Sequence, residues 1–119
     1  MRHTSDMEFR PVIAPALANG KGLREAIDIV VDGESLSEAL DVAPLDRVTV
    51  QAMPQSQWFN DGELRPLLCQ CGDPCCRDVA TTVRRDGALA SWTLPDDRTV
   101  VFEVADAAES LRRALTNEA

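Results

Sequence analysis

The chain of 119 residues has no tyrosine, one histidine (His3) and one lysine (Lys21). Proton transfer and nucleophilic attack near neutral pH rely heavily on such groups, so their scarcity points away from an enzyme. A cysteine–histidine dyad would require His3 to fold across the chain onto a distant cysteine cluster, which no feature of the sequence favours. Gly20-Lys21-Gly22 has neither the spacing nor the Ser/Thr of a phosphate-binding loop, and Asp28, Asp32 and Glu34 do not follow the calcium-loop pattern. No apolar run approaches the roughly 18 residues of a membrane-spanning helix, and Met1 to Arg10 lacks the apolar core of a signal peptide. A cytoplasmic location is the expectation, with no membrane partner.

Basic residues are also few. Twelve Lys and Arg face 20 Asp and Glu, a net charge of −8 that repels phosphate backbones and attracts cationic proteins. Nucleic acid is therefore disfavoured as a partner and a basic protein favoured. The excess is concentrated: Glu25, Asp28, Asp32, Glu34, Glu38, Asp41 and Asp46 follow one another with no Lys or Arg between them.

A hydrophobic fraction of 45% and a charged fraction of 27% are ordinary for a globular protein. A chain of this length buries roughly two-thirds of its unfolded surface, enough to fold without a metal or disulfide. Without repeats or linkers, residues 1–119 read as a single domain, with residues 1–6 expected to be loose.

Met7 to Ile13 reads as a short strand that Pro11 and Pro15 confine to a sheet edge or a loop. Ala26 to Asp32 alternates, placing Ile27, Ile29 and Val31 on one face and Asp28, Val30 and Asp32 on the other, and ends at the turn signal Asp32-Gly33. Ser35 to Glu38 has capping-box spacing for a short helix carrying Leu36 and Leu40. Arg47 to Ala52 reads as a second strand from its β-branched residues, and Leu64 to Gln70 as a third. Between them lies a loop bearing Trp58 and Phe59, aromatics that pack into the core or, for Trp58, anchor a partner.

Val79 to Val83 and Ala88 to Leu94 flank Asp86-Gly87, a hairpin signal, and Thr99 to Val104 extends the sheet with Val100, Phe102 and Val104 inward. Asp106 to Glu109 has capping spacing for a closing helix whose apolar stripe holds Leu111, Ala114 and Leu115. The expected fold is α+β, one antiparallel sheet of about five strands with two helices on one face.

All four cysteines, Cys69, Cys71, Cys75 and Cys76, fall in one short segment with Gly72 and Pro74. Four thiolates could hold zinc, but the ligands of structural zinc sites normally come from two separated knuckles, and adjacent Cys75 and Cys76 tend to point apart. A thiol-redox pair lacks the two-residue spacing of thioredoxin-like motifs, and Arg77 is the only adjacent cation. Free cysteine also serves as a small apolar residue around a turn, which requires no cofactor.

Cys69-x-Cys71-Gly72-Asp73-x-x-Cys76, followed by Val79 to Val83, Asp86-Gly87 and Trp92, is similar to a group of uncharacterised bacterial proteins. These carry a C-x-C-G-acid-x-x-C segment before a tryptophan-containing strand pair. The resemblance spans Asp28 to Leu115 and implies a shared fold. It implies glycine where this chain has Cys75, and no particular activity.

A small acidic chain poor in catalytic groups has the character of an inhibitor of a basic target. Bacterial immunity proteins, which neutralise nuclease toxins, commonly look like this. The expected binding residues are Asp28, Asp32, Glu34, Glu38 and Asp41, with Trp58 as an apolar anchor. The alternative is a small zinc-binding or thiol-redox module built on Cys69, Cys71, Cys75 and Cys76.

Overall fold

A computed structural model describes residues 4–15, 22–68 and 80–116. The fold is α+β, and its strands form two antiparallel sheets rather than one. The first sheet runs in the order β1 (Met7–Pro15), β2 (Leu23–Val31), β4 (Ala43–Asp46), β6 (Leu67–Leu68), with the two-residue β3 (Glu34–Ser35) folded back on β2. The second runs β5 (Gly62–Leu64), β7 (Thr81–Asp86), β8 (Leu89–Thr93), β9 (Thr99–Glu103). Among the described residues three α-helices complete the order: α1 (Leu36–Ala39), α2 (Arg47–Ala52) and α3 (Val104–Thr116).

The switch between sheets is made where a single third strand was expected. β5 pairs with β7 of the second sheet, whereas β6, two residues later, pairs with β4 of the first. Pro66 separates them, and its fixed φ and missing N–H prevent one strand from continuing through. The expected hairpin is present: Asp86 faces Leu89 across Gly87-Ala88, and Gly87, at φ +61°, takes the first central position with the left-handed backbone a tight hairpin requires.

Each sheet gives one face to a common core. From the first come Met7, Phe9, Ile27, Ile29, Val31 and Leu45; from the second, the cross-strand row Val83, Trp92 and Val100 together with Phe102. The chain's five aromatic side chains all meet here. Phe9 stands edge-on to Trp58 at 5.4 Å, Trp58 lies 6.2 Å from Trp92, Phe102 is edge-on to Trp92 at 5.6 Å, and Phe59 lies 6.0 Å from Phe102. Burying aromatic surface of this size stabilises by about 4–6 kcal/mol per side chain. The Trp92 indole N–H donates to the carbonyl of Trp58, 3.0 Å away, which fixes the short 3-10 turn Gln55–Trp58 against the second sheet.

Arg47 to Ala52 is a helix, not the expected strand. In a strand Val48 and Val50 would share a face, but Val48 is 74% exposed and Val50 1%. The β4 strand already occupies the edge of β2, and β-branched residues favour strands only where a sheet surface is there to receive them. One helical turn instead aligns Arg47 with Val50, and Arg47 donates to the carbonyl of Leu115 at the end of α3.

Helix α3 starts at Val104, before the anticipated cap at Asp106, and buries Ala107, Leu111 and Ala114. Residues 4–6, expected to be loose, are held: Ser5 N–H donates to Val101 O at 2.6 Å, and Asp32 N–H to Asp6 O at 2.8 Å. The prolines of β1 do confine it to an edge, where it pairs with β2 along its whole length. Among the described residues no helix is long and apolar enough to cross a membrane.

Candidate functional site

The acidic stretch folds into one corner, where the β2–β3 hairpin leads into α1. Val31 faces Glu34 across Asp32-Gly33, both at positive φ (51° and 86°), the backbone that a two-residue hairpin of this kind needs and that Asp-Gly supplies. Ser35 then caps α1, its hydroxyl accepting from the N–H of Glu38. The helix closes at Asp41, in the left-handed conformation (φ 56°), with Asp41 N–H donating to Glu38 O and Val42 N–H to Ser37 O. Glycine usually fills that closing position, and aspartate tolerates it better than most residues. Asp32 and Asp41 thus satisfy backbone requirements as well as contributing charge.

Asp32, Glu34, Glu38 and Asp41 are all exposed. The Asp32 carboxylate accepts from the N–H of Asp6 at 2.8 Å. Glu34 pairs at 2.6 Å with Arg98, which also pairs with Asp96. Chiefly through its hydrogen bond with Glu34, the Arg98 guanidinium is held above its usual pKa and stays cationic. Beside this corner Asp6 also lines an open cleft of about 200 Å³, together with Thr4, Ser5, Met7, Phe102, Glu103, Asp106 and Ala107.

Two of the expected contact residues are placed elsewhere. Trp58 is 1% exposed and belongs to the aromatic core, so it offers no anchor to a partner. Asp28 is 7% exposed, on a strand both of whose faces are covered. Its Oδ1 accepts from the N–H of Ile29 at 2.8 Å and its Oδ2 from the hydroxyl of Ser35 at 2.5 Å. The Ser35 and Ser37 hydroxyls lie 3.1 Å apart. The physical reason lies in the sheet. β4 pairs with β2 only at Ala26 and Ile27, and the Asp28 carboxylate serves the Ile29 N–H where that pairing stops. Asp28 is therefore the footing of the acidic corner and not part of its surface. Period-two alternation put Asp28 on the face opposite Ile27 correctly, but could not show that this face is covered as well.

Cys69, Cys71, Cys75 and Cys76 lie outside the described residues. Their flanks are described: Leu68 ends β6 in the first sheet, and Thr81 begins β7 in the second. Among the described residues no group of three or more His, Cys, Asp or Glu side chains could hold a metal ion. What the described corner offers chemically is carboxylate acceptors for cationic side chains. No protein-family model, curated protein or solved structure matches the chain.

Proposed function

We propose that this chain is a small acidic, non-enzymatic binding protein, most concretely an immunity-type inhibitor that neutralises a basic, nuclease-like toxin by covering its active site. The observation that carries this reading is the convergence of Asp32, Glu34, Glu38 and Asp41 on one exposed corner, held by a capped helix and a two-residue hairpin. Carboxylates carried on a fixed backbone at one corner, with Glu34 paired to Arg98, present a negative surface. Such a surface speeds encounter with a cationic groove and excludes partners of like charge. The scarcity of histidine, lysine and tyrosine supports binding over catalysis.

Glu38 is the clean residue for a test, since among the described residues its carboxylate has no partner and its loss leaves the fold's hydrogen bonds in place. The experiment measures association of the purified chain with any basic protein that an adjacent reading frame encodes, by calorimetry and stopped-flow across a salt series. Binding that slows as salt rises, and that Glu38→Lys weakens at least tenfold, is the expected result. No association, or an affinity indifferent to both salt and Glu38→Lys, would refute the assignment.

A further inference from the structure

Among the described residues strand β1 has one neighbour strand, β2, and the phase of its backbone is fixed by three hydrogen bonds. Asp32 N–H donates to Asp6 O, so even-numbered residues direct their backbone groups toward β2. Ser5 N–H donates outward to Val101 O, and Phe9 N–H outward to the Ser110 hydroxyl at 2.8 Å on α3. Odd-numbered residues as far as Ile13 therefore direct theirs away from β2, while at Pro15, the last residue of the strand, the carbonyl accepts from Arg24 Nε of β2 at 3.1 Å. Beyond Phe9 the outward positions are Pro11, Ile13 and Pro15. The two prolines sit at positions that contribute no N–H to the β1–β2 ladder. That is why a nine-residue strand with two prolines can pair along its entire length.

The outer half of this edge is also sticky. Ile13 is 63% exposed and Leu23 74%, and the register of β1 on β2 places them on one face, with Leu23 opposite Pro15. An open strand edge with apolar side chains is a template for pairing with an identical strand. A second copy would meet it antiparallel about a two-fold axis at Ile13, so that residue 11 of each copy faces residue 15 of the other and the two Ile13 residues face each other. Each of those three pairs would bring two backbone N–H positions to the seam, with the Pro15 carbonyl already accepting from Arg24. The prolines remove four of the six donors and leave only the pair between the Ile13 residues.

We propose that Pro11 and Pro15 act as an edge guard, preventing the exposed outer half of β1 from pairing with β1 of a second copy. The guard is independent of the acidic corner, which lies at the other end of β2.

The test is the double variant Pro11→Thr/Pro15→Thr, in which the β1–β2 ladder is untouched and two outward donors are restored. Wild-type protein is expected to sediment as a monomer of 13.0 kDa throughout a concentration series. The variant, with the buried-tryptophan fluorescence of the native core, is expected to shift toward twice that mass, at least tenfold more readily than wild type. A folded variant that stays monomeric over the same series overturns the proposal. Amide hydrogen exchange on the wild-type chain supplies a test that does not depend on the variant folding. Ile13 N–H should exchange much faster than its ladder neighbours Val12 and Ala14, whereas protection of Ile13 that grows with concentration would mean the edge already pairs, and overturns it too.

Discussion

Removal of the Asp28 carboxylate tests whether this acid is a footing or a contact. In Asp28→Ala the N–H of Ile29, in a residue 1% exposed, loses its acceptor, and an unpaired buried donor costs about 1–3 kcal/mol. Ser35 loses a charge-assisted bond to Oδ2 but can turn to Ser37, 3.1 Å away, so the further loss is about 1 kcal/mol. The expected destabilisation is about 2–4 kcal/mol, a large fraction of the roughly 5–15 kcal/mol that holds a domain together. Asp28→Asn keeps an oxygen for Ile29 and can reverse the bond to Ser35, so it should cost only about 1 kcal/mol. Urea unfolding followed by tryptophan fluorescence reads both, since Trp58 and Trp92 are buried and report on the core. With a slope of roughly 1–3 kcal/mol per M, the alanine variant should move the midpoint down by about 0.7–4 M. An alanine variant within about 0.5 kcal/mol of wild type would refute the footing and restore Asp28 as a candidate contact.

Two further outcomes are expected. Glu109 should titrate below the usual carboxylate range, first because Arg112 hydrogen-bonds to it, with the charges of Arg112 and Arg113 adding to the effect. With a lowered folded-state value, its contribution to stability is full above the ordinary glutamate range and fades as pH falls through the lowered one, and Arg112→Ala should return the NMR-monitored titration toward ordinary. If the chain is an inhibitor, Cys69→Ser with Cys76→Ser should leave partner binding within about twofold, and native mass spectrometry should find no zinc in protein prepared without chelator; bound zinc together with lost function would favour the metal module.

Signals that act through a few consecutive backbone atoms were legible without the fold. Gly87 at the hairpin, Ser35 as a helix cap and the prolines that keep β1 at an edge each rest on a steric or hydrogen-bonding constraint satisfied locally. The acidic corner was legible in part: the run of carboxylates is a fact of composition, and Asp32-Gly33 announces its turn. The run could not reveal that Asp28 is turned into the structure while Asp32, Glu34, Glu38 and Asp41 face outward. Resolving that requires knowing where β4 stops pairing.

By itself, the sequence determined an acidic α+β chain with little catalytic equipment, and it located the hairpin, the helix cap and the strand that its prolines confine to an edge. Tertiary structure alone decided that Arg47 to Ala52 is a helix, that the chain changes sheets at Pro66, and that Trp58 closes the core. Backbone preferences are set within a few residues of each position, whereas burial depends on which distant surface arrives to cover a face.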